Sequence, residues 1–136
     1  ESLDSTDLHM LVQPPPGCDP ATSPFAVAIT NSGGTVFADS LPAGSMVKRG
    51  RSWVYRDQAA RRDGGIFTLR IMERDDPSGF RVDLRAFGDL SSATDPVMSV
   101  SATVCGVTSS TTDTWTLNGN GWLVNFDPVD ECLPNP

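Results

Sequence analysis

Phe67-Thr68-Leu69-Arg70-Ile71 and Phe80-Arg81-Val82-Asp83-Leu84-Arg85-Ala86 flank the turn sequence Asp75-Asp76-Pro77-Ser78-Gly79, within the stretch Ile66 to Phe87. Large apolar side chains take every second position and charged or polar ones fill the gaps, which is the period of a strand buried on one face. Pro77 presets its φ for the second position of a turn, and Gly79 at the end accepts a positive φ. The stretch is expected to form a β-hairpin with one greasy and one charged face, and other strands must cover the greasy one.

Working outward, the same period recurs. Phe25-Ala26-Val27-Ala28-Ile29-Thr30 reads as a strand with Phe25, Val27 and Ile29 inward. Asn31-Ser32-Gly33-Gly34 turns it back into a strand from Thr35 to Ser40, because glycines accept left-handed dihedrals. After the turn Leu41-Pro42-Ala43-Gly44 come a short strand through Ser45 to Lys48 and another from Arg51 to Arg56, with Trp53 and Tyr55 on one face. Asp57 to Asp63 is read as a loop, since Gly64-Gly65 stops any helical turn there. Beyond the hairpin, Gly88 to Pro96 is a polar loop, and Val97 to Cys105 is a strand with Met98, Val100, Ala102 and Val104 inward. Gly106 to Thr112 is rich in Thr and Ser and is read as exposed. Asp113 to Leu117 and Trp122 to Phe126 bracket Asn118-Gly119-Asn120-Gly121, a strong hairpin signal, so Trp115 with Leu117 and Trp122 with Val124 and Phe126 are expected to close the core.

The N-terminal residues read differently. Residues 1–7 look like a loose polar arm; Leu8-His9-Met10-Leu11-Val12-Gln13 then alternates, with Leu8, Met10 and Val12 on one side. Pro14-Pro15-Pro16-Gly17 favours an extended polyproline II spacer. An apolar strand on a stiff spacer can pack as an edge strand on its own domain, or it can enter a neighbour's sheet. The expected division is an arm over 1–17, a sandwich over 18–126 and an irregular tail over 127–136.

At 136 residues the chain reads as one domain, able to bury about two-thirds of its unfolded surface. No apolar run approaches the roughly 18 residues of a membrane span. No basic, apolar leader opens the sequence, so any signal peptide is expected to have been removed. The net charge of −7 is segregated: all ten Lys and Arg residues lie between Lys48 and Arg85, among six acids. Residues 1–47 carry five acids and no base, and residues 86–136 six acids and no base. Either solvated strand faces hold the arginines, or an acidic end of one copy complements the basic middle of another. With a pI near 4.4 and acids interleaved among the bases, nucleic acid is not an expected partner.

Cys18, Cys105 and Cys132 match no metal or haem spacing, and there is a single histidine. One disulfide and a leftover thiol, or an intermolecular bridge, is the expectation for an exported protein. Strand parity places Cys105 with the outward serines, where a surface tail can reach it, which favours Cys105–Cys132.

No residue pattern names a reaction, and no catalytic residue, cofactor or metal is expected. His9 sits on the candidate edge strand, a poor platform for a catalytic pair. Asp75-Asp76 occupy a turn and Asp130-Glu131 the tail, outside any cleft-forming context for sugar hydrolysis. Asp89, Asp95 and Asp127 are loop carboxylates without calcium-loop spacing. Trp53, Tyr55, Trp115 and Trp122 fall at alternating core positions, although flat aromatics on a sheet can also stack on sugar rings.

The body resembles uncharacterised Ig-like repeat modules of exported bacterial proteins. Asn31-Ser32-Gly33-Gly34-Thr35-Val36-Phe37, Leu41-Pro42-Ala43-Gly44-Ser45, Gly64-Gly65-Ile66 and Gly79-Phe80-Arg81-Val82 carry the likeness, over roughly residues 25–126. It implies a sandwich and a secreted location, and brings no catalytic residue. The chain is thus expected to be all-β, an antiparallel Ig-like sandwich of about eight or nine short strands with an extended N-terminal arm. The leading functional expectation is an extracellular, cell-surface structural subunit, not an enzyme. Copies would join head to tail into a filament, with Leu8, Met10 and Val12 entering the next sandwich. Deleting residues 1–13 would then break the lengthwise contact while the body still folds. The alternative is a monomeric extracellular binding module for surface polysaccharide or adhesion.

Overall fold

The computed structural model describes residues 4–13, 15, 17–74, 79–90, 95–118 and 121–125. The hairpin read from the sequence forms its centre. β6 (Gly65–Arg74) and β7 (Gly79–Gly88) pair antiparallel with Leu69 opposite Leu84 and Ile71 opposite Val82. The turn residues 75–78 lie outside the described residues. On the other edge of β6 follow β5 (Ser52–Arg56) and β4 (Val47–Arg49). Between β5 and β6, residues Ala60–Asp63 form a one-turn helix, α1, where a loop was expected. Gly64 ends it, at φ 87° and donating its N–H to the Ala60 carbonyl at 2.8 Å.

The N-terminal stretch is not an arm standing off the body. β1 (Asp4–Val12) is an interior strand, antiparallel to β7 on one side and parallel to β11 (Gly121–Asn125) on the other. Leu8, Met10 and Val12 face the core at 0, 1 and 2 % exposure. The reason is geometric: β7 and β11 would each present a bare edge, and a nine-residue strand with one apolar face satisfies both. β10 (Thr116–Asn118) completes this seven-stranded sheet, in the order β10-β11-β1-β7-β6-β5-β4.

The second sheet holds β3 (Gly34–Leu41), β2 (Phe25–Asn31), β8 (Val97–Val104) and β9 (Val107–Thr114), in that order. Its inward Phe25, Val27, Ile29, Met98, Val100, Ala102 and Val104 meet Leu8, Met10, Leu69, Ile71, Val82 and Leu84 from the larger sheet, making an all-β sandwich with one core. Eleven strands are present among the described residues, against the eight or nine expected.

The excess comes mainly from β9, which was read as an exposed Ser/Thr stretch. It is an edge strand with no buried residue, so it carries no hydrophobic period to be recognised. Trp115 follows it where the chain crosses between sheets, donating Nε1–H to the Met98 carbonyl at 3.3 Å and its backbone N–H to that of Pro96 at 2.8 Å. Trp115 closes the core as expected. The side chains of Leu117, Trp122 and Val124, and Phe126 altogether, lie outside the described residues.

The predicted Cys105–Cys132 pairing is corrected, because Cys105 is bonded to Cys18. The parity argument failed at the strand end. β8 stops at Val104, and Cys105 and Gly106 have φ values of 53° and 79°, the two left-handed positions of a type I′ turn joining β8 to β9. A left-handed residue no longer follows the alternation of the strand before it, and Cys105 packs against the core edge beside Cys18. Cys132 lies outside the described residues.

Candidate functional site

The outer face of the larger sheet is built in rows, because strands in register bring their outward residues side by side. One row runs Val47, Val54, Arg70, Asp83, His9 across β4, β5, β6, β7 and β1. The next runs Arg56, Thr68, Arg85, Asp7. Together with Arg49 and Tyr55 these rows line an open groove of about 780 Å³. Phe67 helps fix one end. A bulge between Ile66 and Thr68 leaves Phe67 out of the core cluster, and its buried ring lies under Arg61 of α1 (4.6 Å), beside Arg56 (5.2 Å) and edge-on to Phe87.

The charges in the groove are unequally paired. Arg85 Nε reaches Asp7 Oδ1 at 3.2 Å. Asp83 Oδ1 accepts from His9 Nδ1 at 2.6 Å and from Arg81 Nε at 2.9 Å. Arg49 makes no ion pair, and Arg70 contacts only the Ser52 hydroxyl, at 3.4 Å, among the described residues. The groove thus presents four guanidinium groups (Arg49, Arg56, Arg70, Arg85) against two carboxylates, in a chain of net charge −7.

His9 lies on the groove floor, on an interior strand and not on the edge strand expected for it. Donating Nδ1–H to Asp83 raises its pKa above 6.5, outweighing the opposing effect of burial. With Nδ1 as donor, the same nitrogen cannot accept from Arg81 Nη2, 3.5 Å away, so that approach is electrostatic only. For Asp83, burial pushes the pKa up, but the His9 and Arg81 hydrogen bonds win and hold it below 3.8. A raised imidazole pKa adds stability that is fully present below about 6.5 and fades as pH climbs through the folded value. The depressed carboxyl adds stability present above about 3.8 and lost as pH falls through its folded value. Denaturant titrations are therefore expected to show the advantage of wild type over His9→Gln largest in mildly acidic buffer and shrinking into the alkaline range. A difference that is flat with pH would contradict the pairing.

The residues singled out from the sequence scatter. Trp53 and Trp115 are buried at 3 and 2 % exposure, so neither offers a sugar-stacking face. Tyr55 is half-buried and borders the groove. Asp95 serves its turn, accepting from the Ser32 hydroxyl and the Val97 N–H at 3.0 Å each. Asp75, Asp76, Asp127, Asp130 and Glu131 lie outside the described residues. Among the described residues no group of three His, Cys, Asp or Glu side chains could hold a metal ion, and no helix is long and apolar enough to cross a membrane.

The groove arginines were visible as part of the basic middle of the chain, but their assembly was not: it needs the register of five strands. No protein-family model matches the chain, and no curated protein or solved structure matches it.

Proposed function

We propose that this domain is an extracellular binding module that takes an acidic polysaccharide along the groove of its larger sheet. The observation that carries the reading is the surplus of arginine there, on a chain that is otherwise acidic. Guanidinium forks match carboxylate and sulfate groups two bonds at a time, and a groove of this volume suits a few sugar units. His9, when protonated, adds a further donor at Nε2. The Cys18–Cys105 disulfide supports an oxidising, extracellular setting. Neutral sugars would depend on stacking aromatics, which the buried Trp53 and Trp115 do not supply.

Calorimetric titration with polygalacturonate oligomers, with neutral dextran as the control, tests this. Binding is expected for the acidic chain only, weaker in salt, and about tenfold weaker for each of Arg49→Glu and Arg70→Glu, since one charge-assisted contact is worth about 1.4 kcal/mol or more. Equal binding of dextran, or indifference to both substitutions, would remove the proposal.

Strand exchange between copies is the second reading. It is favoured by the way β1 attaches: a nine-residue strand bonded on both edges, joined through 13–17 with its three prolines, and followed at once by the Cys18–Cys105 clamp. A neighbour's Leu8, Met10 and Val12 could make the contacts that β1 makes within its own chain.

A further inference from the structure

The second sheet presents two long edges, and they differ. β3 is irregular, with a bulge against β2 at Ile29/Thr30, and Asp39 ties it across to β6 by accepting from the Ile66 N–H at 3.0 Å. β9 runs eight residues with none of the usual protections of an edge. It has no proline, lysine, arginine or register shift, and its one charge, Asp113, lies near the end. Among the described residues no strand pairs with its outer edge.

Which backbone groups face that edge follows from the turn. In a two-residue I′ hairpin the flanking pair, here Val104 and Val107, exchanges its hydrogen bonds. Alternation from Val107 then points the N–H and C=O of Thr108, Ser110 and Thr112 away from β8. The side chains of these same three residues form a hydroxyl ladder with β8: Thr108 to Thr103 at 2.7 Å, Ser110 to Ser101 at 2.9 Å and Thr112 to Ser99 at 2.6 Å. Each hydroxyl still has capacity for another partner, since it carries one donor and two acceptor sites.

The sequence Val107-Thr108-Ser109-Ser110-Thr111-Thr112-Asp113 is self-complementary about its centre. Laid antiparallel on a second copy with the two-fold axis at Ser110, it sets Ser110 against Ser110, Thr108 against Thr112 and Ser109 against Thr111. The outward-pointing backbone groups of Thr108, Ser110 and Thr112 then meet one another, making about six hydrogen bonds. The hydroxyl ladder continues across the seam, and the two Asp113 carboxylates lie at opposite ends, each opposite a Val107. We propose that β9 is a docking edge for a second copy of this chain, joined antiparallel about Ser110 so that two four-stranded sheets become one. The seam is on the sheet opposite the groove and does not depend on what the groove binds.

Cross-linking reads the register directly. In a Cys132→Ser background, Ser110→Cys places two thiols on the axis, within disulfide range, whereas Thr112→Cys places its thiol opposite Thr108. Mild oxidation is expected to give at least about fivefold more covalent dimer from Ser110→Cys than from Thr112→Cys. Sedimentation equilibrium of the wild type is expected to rise from 14.5 kDa toward twice that mass with concentration. Ser110→Pro removes an outward N–H and the exposed hydroxyl contact to Ser101 but none of the backbone bonds to β8, so it should stay folded by circular dichroism and remain monomeric. Ser110→Lys gives the same readout should the proline variant not fold. A wild type that stays monomeric throughout, equal cross-linking at both positions, or a dimer that persists in the folded Ser110 variants would overturn the seam. The last of these would point to exchange of β1 instead.

Discussion

Removing residues 1–13 is expected to leave a chain that does not fold cooperatively, and supplying the segment as a separate peptide is expected to restore the fold. Leu8, Met10 and Val12 are almost fully buried, and each such side chain contributes about 1.5–3 kcal/mol. Their sum rivals the roughly 5–15 kcal/mol that holds a whole domain together. The deletion also strips β11 of its parallel neighbour and bares the edge of β7. This reverses the expectation drawn from the arm reading, in which the body survives the same truncation. Near-UV circular dichroism and denaturant unfolding of the truncated chain supply the test, with and without a peptide of residues 1–13. A peptide carrying Leu8→Asp and Met10→Asp should not rescue. A truncated chain with a sharp transition near that of the wild type would show that β1 is dispensable. Rescue would show that the slot accepts its strand from outside, and the mass of the full-length protein then decides whether copies trade it.

Breaking the Cys18–Cys105 bond is expected to cost about 4–5 kcal/mol on the chain-entropy account, because it closes a loop of 87 residues. The bond joins the chain just after the proline segment to the turn between β8 and β9, so its loss frees the whole stretch from Cys18 to Cys105 in the unfolded chain. A paired Cys18→Ser and Cys105→Ser variant is expected to melt about 10–20 °C lower than wild type. Peptide mapping without reduction should recover the Cys18 and Cys105 fragments joined. Unchanged melting, or a bridge to Cys132, would refute the pairing.

The central hairpin was legible because its strands are amphipathic and each bears a face that must be hidden. Leu69, Ile71, Val82, Leu84 and Ala86 all lie inward, as their alternation requires. Phe67 broke the pattern, since a bulge adds a residue without any local mark in the sequence. Cys105 was misplaced for a related reason: a type I′ turn is easily recognised at Asn-Gly, and here it is made by Cys-Gly. β9 was hidden by its lack of any buried side chain. The groove was half legible: the arginines were seen as a block, while their convergence with His9 and Asp83 arises from pairings 74 residues apart that local pattern does not encode.

The place of β1 in the sheet also constrains the order in which this chain can take shape. β1 precedes both strands it pairs with, His9 lying opposite Asp83 on one side and Asn125 on the other, so its slot is complete only after β11 has emerged. Such distant pairings make for slow maturation, and until then an apolar segment stays available to whatever it meets. Were copies to trade that segment as in the strand-exchange proposal, crowded nascent copies would be where the trade begins, and assembly state would depend on history as well as on equilibrium.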